Sequence, residues 1–312
     1  MIKNSQILII GYPLYVGQEI YNILKKKGYK KIIFKNKFDY NKHLNENYFQ
    51  KIFKNNKIDY VFLLGADSGG IHKNLKYPTS LIYSNILLNS FVIKLSSRFK
   101  VKKLLFLSSS CVYPNTFSKS LKPKMILSGP LEDSSKSYAI SKLAGMELCK
   151  AFKNEFNNNF ISVIPSTIYG PKDKFFSEDS HVIPSLISKF YSSKKKNLKK
   201  IMLFGTGKAV RDFIYYSDLA NAMIFLMKKY NGIDPINVSS NEKISILSLA
   251  NKLKKITNYD GKIIFNQKDE GAKYKFLDTL EINNLGWKHK TSLEKGLKIT
   301  YQEFLYNYQD KK

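Results

Sequence analysis

The sequence predicts an α/β fold: a doubly wound parallel sheet followed by a smaller C-terminal α/β lobe that binds substrate. Three observations carry this. Short apolar runs alternate with long amphipathic stretches through the first half of the chain. The first run leads directly into a turn bounded by Gly11 and Gly17, with a helical pattern behind it. After Pro165 the alternation becomes irregular. Near-continuous apolar strands separated by helices mark a parallel sheet covered on both faces. A glycine turn between the first strand and helix marks the Rossmann arrangement, with ligands at the carboxyl ends of the strands.

The expected strands of the first half are Gln6–Gly11, Lys31–Lys35, Asp59–Ala66, Lys103–Ser110 and Phe160–Pro165. Expected helices lie between them at Val16–Gly28, Tyr48–Asn55, Ser80–Lys100 and Tyr138–Phe156. Gly170-Pro171 and the polar stretch to Ser180 read as a loop. Helical patterns follow at His181–Tyr191, Ser217–Lys229, Ile244–Thr257 and Leu293–Tyr306, with short strands at Lys200–Phe204, Ile236–Val238 and Lys262–Phe265. Residues 1–165 are expected to form the nucleotide-binding domain, with the chain returning to it around 205–232. Residues 166–204 and 233–312 are assigned to the substrate lobe. No internal repeat is present.

Composition narrows the function classes. No run reaches the ~18 apolar residues of a membrane span, and two cysteines, Cys111 and Cys149, suit a reducing cytoplasm. The start, MIKNSQILII, has no small-residue cleavage site and reads as mature sequence. The formal net charge is +28, but lysines are spread along the whole chain. Arginine, the preferred reader of phosphates and base edges, occurs only at Arg98 and Arg211. Nucleic acid is therefore not the expected partner; a positive field favours small anions such as nucleotide sugars. No metal site is expected.

Tyr138 and Lys142 in SYAISKLAG are four apart and share one helix face. An ammonium beside a phenol favours the phenolate, which would make Tyr138 a proton donor and acceptor near neutral pH. Ser109, in LLFLSSSCVYP, would hydrogen-bond the substrate oxygen beside that phenol. This layout suits reduction of a ketone by hydride transfer. Gly11 allows a tight turn, Gly17 close helix–strand packing, and the helix start between them meets a pyrophosphate; Leu14 stands where the middle glycine is usual. No carboxylate follows the second strand, whereas Lys35 and Lys37 suit a 2′-phosphate, favouring NADPH over NADH. Cys111, two residues past Ser109, and His181, at a helix start, can act as base and acid if both reach one ring, or serve as packing and cap residues. Arg211 in GTGKAVRDF is either a phosphate contact or a structural partner of Asp212 or Asp218.

The strings GGIHKNLKYPTSLIYSN, KKLLFLSSSCVYP, SYAISKLAGMELC, SHVIPSLISKF, FGTGKAVRDFIYYSDLA and LGWKHKTSLEKGL extend over nearly the whole chain. Together they resemble the GDP-L-fucose synthase family of extended short-chain dehydrogenase/reductases. The resemblance implies an NADPH-dependent enzyme that epimerises C3 and C5 of GDP-4-keto-6-deoxy-mannose and then reduces C4. It implies a reductive set of Ser109, Tyr138 and Lys142, with Cys111 and His181 as epimerisation base and acid. It places Ser108, Lys142, Pro165 and His181 beside the cofactor, and Lys189, Phe204, Arg211 and Asp278 on the substrate. It also implies a homodimer built from the helices Ser80–Lys100 and Tyr138–Phe156. The chain departs from the family pattern at Tyr12-Pro13, Leu14, Asp67 (usually Lys), Thr167 (Asn), Lys189 (Arg), Phe204 (Trp) and Tyr274 (Arg). These changes cluster on the substrate and cofactor side, so a related enzyme for another nucleotide-linked keto sugar is the alternative. A non-catalytic binding protein is a third reading, motivated by Leu14 and the charge.

Overall fold

A computed structural model describes residues 1–35, 44–115, 120–267 and 272–308. Six strands form one parallel sheet: β1 (Ile7–Gly11), β2 (Ile32–Lys35), β3 (Tyr60–Gly65), β4 (Lys103–Leu107), β5 (Phe160–Pro165) and β10 (Ile236–Val238). Their spatial order is β10-β5-β4-β3-β1-β2. Strands β1, β4, β5 and β10 are buried along their whole length, because helices cover both faces and solvent-side positions do not exist. The chain leaves β1 toward β2 on one side and returns to β3 on the other. That reversal opens a crevice outside the carboxyl ends of β1 and β3.

On one face, α1 (Leu14–Lys26) packs with α7 (Tyr216–Lys229), burying Val16, Ile20, Leu24, Met223 and Met227 against β1 and β4. On the other, α4 (Pro78–Arg98) packs along α5 (Lys136–Phe156), burying Leu88, Val92, Leu143 and Met146. The short helices α2 (Glu46–Lys54) and α3 (Ile71–Lys76) precede α4. The α3 helix falls in a segment with no apolar periodicity, and the sequence does not announce it.

The second lobe has its own core, built from Tyr169, Phe190, Phe213, Leu249, Leu253, Leu297 and Phe304. It contains α6 (Val182–Lys195), α8 (Ile246–Thr257) and α10 (Leu293–Tyr308), with α9 (Leu280–Asn284) beside β10. Three small sheets complete it: β6 (Thr167–Tyr169) with β9 (Phe213–Tyr215), β7 (Lys200–Leu203) with β12 (Lys262–Phe265), and β8 (Val210–Arg211) between β11 (Ile244–Ser245) and β13 (Tyr274–Lys275).

Of the boundaries that differ from the sequence expectation, two reshape the main sheet. Strand β10, assigned to the lobe segment 233–312, is the edge strand of the main sheet and pairs in parallel with β5, Ile236 opposite Val163. The returning chain therefore extends to Val238. Strand β4 ends at Leu107, not Ser110, because the chain turns into a 3-10 segment over Ser110–Val112.

Candidate active site

Gly11 ends β1 at φ +105°, and a Cβ there would run into the carbonyl of Gly65. Gly65 ends β3 at φ +115°, and its Cβ would occupy the position of the Lys142 ammonium. Both sites exclude side chains for backbone and steric reasons at once. A Cβ on Gly17 would come within 2.9 Å of the Phe34 ring and 3.0 Å of Leu64, so this glycine lets α1 lie on the sheet. No side chain caps the start of α1. Leu14 is its first residue and is 40% exposed, so its side chain projects outward from the turn instead of into the helix–sheet seam.

These features fit a dinucleotide. A turn at Gly11 too tight for any Cβ leads into an uncapped helix start, where backbone N–H groups suit a pyrophosphate. Lys35 closes β2, with its ammonium 6.0 Å from the Tyr48 ring centre. Lys37 lies outside the described residues. Pro165 is the buried last residue of β5, and the hydroxyl of the following Ser166 is buried without a partner. The Ser108 hydroxyl turns into the protein and donates to Met146 Sδ at 2.9 Å, leaving its main chain at the strand end.

Lys142 lies under the crevice, 2% exposed. Its Nζ donates to the carbonyls of Leu64 at 3.1 Å and Leu107 at 2.8 Å, which are the ends of β3 and β4. It sits 5.6 Å from the Tyr138 ring centre and 5.1 Å from that of Phe106. Burial pushes Lys142 down to about 7 from 10.5. Burial likewise pushes the Tyr138 phenol well above its usual range, with Cys111, Tyr12 and Asp67 adding to the rise and a hydrogen bond with Ser109 opposing it. This direction runs against the expected phenolate: burial is the largest cause, and it disfavours the charged form. The neutral phenol is the form a ketone reduction needs from its proton donor.

Ser109 is half-buried and caps the 3-10 turn, its Oγ accepting from the Cys111 amide at 3.4 Å. This turn brings Cys111 back toward Tyr138. The Cys111 thiol is partly exposed, with Lys275 Nζ 3.7 Å away. Glu132 in turn lies 3.5 Å from that ammonium.

His181 precedes α6 on a loop that folds over the 66–70 segment, where the Gly70 amide donates to the Asp179 carbonyl. Its Nδ1 lies 3.7 Å from Asp173 Oδ1. The Asp173 side chain is 2% exposed and its Oδ2 has no partner. The charge of Asp173 acts on Tyr12 and Tyr15, Tyr138 acts on Tyr15, and Tyr12 acts on Tyr138. The two sides of the crevice thus meet across these rings. At the bottom of the 66–70 loop, Asn85 accepts from the Ala66 amide at 2.9 Å and donates to the Asp67 and Leu81 carbonyls. Asp67 pairs with Lys73 Nζ at 2.6 Å, which brings a cation from α3 to this loop.

The remaining positions lie in the second lobe. Lys189 Nζ rests 4.5 Å from the centre of the Phe204 ring, which is 64% exposed. Burial lowers the pKa of Lys189. Arg211 ends β8, and Asp212 and Asp218 hold other groups. Asp212 accepts from the Leu277 amide and the Ser239 hydroxyl, Asp218 from the amides of Lys290 and Thr291. Asp278 accepts from the Leu280 amide at 2.9 Å and sits 3.6 Å from Lys122. Gly65, Asn85, Glu132, Asp173 and Lys275 escaped the sequence reading. A glycine closing an apolar strand was the available signal for Gly65; the others carry none.

Among the described residues no group of three or more histidine, cysteine or acidic side chains forms a metal site, and no helix is long and apolar enough to cross a membrane. Residues 7–239 match the NAD dependent epimerase/dehydratase family. Over 99% of its length the chain is 36% identical to GDP-L-fucose synthase of Sinorhizobium fredii, covering 98% of that protein. A GDP-L-fucose synthetase from Naegleria fowleri, solved bound to NADP, superimposes with a TM-score of 0.87 at 27% identity, covering 99% of this chain and 95% of that one. A GDP-6-OMe-4-keto-L-xylo-heptose reductase from C. jejuni gives 0.88 at 28% identity, covering 99% of both chains.

Proposed function

This chain belongs to the NAD dependent epimerase/dehydratase family, and from that premise we propose that it converts GDP-4-keto-6-deoxy-mannose to GDP-L-fucose by 3,5-epimerisation and NADPH-dependent 4-reduction. The observation that carries the reading is the convergence of Lys142, Tyr138, Ser109 and Cys111 at the ends of β3 and β4, under the loop that holds His181.

The 4-keto group acidifies the hydrogens on C3 and C5. Cys111, as thiolate, takes such a proton: the S–H bond forms, the C–H bond breaks, and the electron pair moves onto the C4 oxygen. Ser109 and Tyr138 donate hydrogen bonds to that oxygen, which stabilises the charge where it develops. His181 returns a proton to the same carbon from the opposite face, inverting it. Solvent then restores both groups. When bound, NADPH supplies the hydride that C4 accepts. Tyr138 gives its phenolic proton to the C4 oxygen in the same step, and Lys142, pushed down to about 7, exchanges its proton near neutral pH to replenish it. Lys189 and Phe204 offer a cation and a ring face to the guanine nucleotide, Arg211 a bidentate fork to its phosphates, and Asp278 an acceptor.

The test is incubation with NADPH and GDP-4-keto-6-deoxy-mannose, following nicotinamide absorbance and identifying the sugar. Oxidation yielding GDP-L-fucose supports the reading. GDP-rhamnose would mean reduction without epimerisation, and NADPH binding without oxidation refutes this substrate. A second reading, another nucleotide-linked keto sugar, is favoured by Asp67, Phe204 and Tyr274 at positions where the family differs. Preferential turnover of a GDP-keto-heptose would establish it. The active form is a cytoplasmic homodimer joined through α4 and α5, whose exposed Tyr83 and Ile140 support such a contact. Light scattering on the purified protein gives the mass that decides it.

A further inference from the structure

The cysteine and the histidine differ in what stands behind them. His181 faces a buried carboxylate, Asp173. Cys111 faces a cation. Lys275 Nζ lies 3.7 Å from Sγ, and its side chain is only 17% exposed. On its far side Glu132 Oε2 sits 3.5 Å away, itself 19% exposed. Glu132 is fixed in turn by the Ser134 hydroxyl, which donates to Oε1 at 3.0 Å. A partly buried, three-member chain of carboxylate, ammonium and sulfur therefore ends on the one partly exposed thiol of the molecule; the other, Cys149, is buried and pushed up to about 12.

We propose that Lys275, held by Glu132, is the positioning residue for Cys111, serving as the counter-charge of its thiolate. The proposal rests on the reading of Cys111 as the base. An ammonium at this distance interacts with an anion far more strongly in a half-buried site than in water, and hardly at all with a neutral thiol. It therefore favours the state in which sulfur accepts a proton from carbon. The step balances without another reactant: the sulfur gains the proton, the C–H electron pair goes to the sugar, and Lys275 keeps its three protons throughout. Glu132 restricts the long lysine chain to the rotamer that reaches the sulfur.

A rival role is built into the same strand. Lys275 pairs in register with Arg211 across β13 and β8, so the two basic residues lie side by side. A lysine there could instead bind the substrate's phosphates. The two roles separate experimentally. Iodoacetamide alkylation of Cys111 in the substrate-free protein, located by mass spectrometry, reads the thiolate directly. Deuterium incorporation at C3 and C5 from heavy water reads proton abstraction.

For Lys275→Met we expect about tenfold slower alkylation and a similar loss in the maximal rate of deuterium incorporation, on the order of one strong charge contact. KM and NADPH affinity should stay near wild type. Lys275→Arg should recover most of both rates. Glu132→Gln should give a smaller loss in the same direction and serves as the check if Lys275→Met folds poorly. Unchanged alkylation in both Lys275→Met and Glu132→Gln, or an effect confined to KM, would overturn the proposal and assign Lys275 to the phosphates. Failure of the underlying reading looks different: Cys111→Ser would still incorporate deuterium at the wild-type rate.

Discussion

Gly65→Ala adds one methyl group, and the structure places it where the Lys142 ammonium sits. Two costs follow. An alanine held at φ +115° carries strain of about 1–3 kcal/mol. The ammonium must also withdraw, losing its bonds to the Leu64 and Leu107 carbonyls at 3.1 and 2.8 Å. Those bonds involve a cationic donor or a buried amine, and losing the pair costs roughly another 2–3 kcal/mol. The sum, about 3–6 kcal/mol, lowers the melting temperature by on the order of 5–15 °C for a chain of this size. The substitution also lifts Lys142 away from Tyr138, so NADPH oxidation should fall by about 10²-fold in protein that remains folded. Differential scanning fluorimetry and a steady-state assay at 20 °C check both halves. A melting point within 1 °C of wild type with unchanged kcat would show that Gly65 does not set the lysine, and the account of the crevice floor would fail.

The other predictions follow from the same geometry. Tyr138→Phe should abolish NADPH oxidation while leaving measurable deuterium incorporation at C3 and C5; loss of neither would remove Tyr138 from the chemistry. The unfolded Lys142 holds its proton up to about 10.5 but the folded one only to about 7. Unfolded protein therefore binds more protons between those values, the side chain's contribution to stability rises with pH across that window, and it is lost as pH falls toward 7. Lys142→Met should flatten this slope in urea titrations at pH 7.5 and 9.5, and an identical slope would contradict the burial argument. Asp173→Asn should slow epimerisation about 10–10²-fold by loosening His181, leaving NADPH affinity intact by fluorescence titration. Lys189→Ala should raise KM for the GDP-sugar roughly 5–30-fold, a partly desolvated cation–π contact and a phosphate or base contact being worth about 1–2 kcal/mol; an unaltered KM would take Lys189 off the substrate.

What the sequence by itself determined is the part whose information is local. Strands β1, β3, β4 and β5 were legible because a strand buried on both faces must be apolar at nearly every position. Tyr138 and Lys142 were legible because a four-residue spacing fixes a shared helix face before any tertiary contact forms. Gly11 and Gly17 were legible as a turn, and the structure supplies the reason in the carbonyl of Gly65 and the ring of Phe34. Tertiary structure alone decided the rest. Strands β8, β11 and β13 are two residues long and exist only through pairing with segments far away in the chain. Ile236–Val238 read as a strand, but only its pairing with β5 put it in the main sheet. Lys275 meets Cys111 across 164 residues of sequence, and Asp173 was hidden in a polar loop until packing buried it against His181. The direction in which the Tyr138 phenol shifts has the same origin. Its spacing from Lys142 names the neighbours, but the burial that raises its pKa is a property of the folded chain.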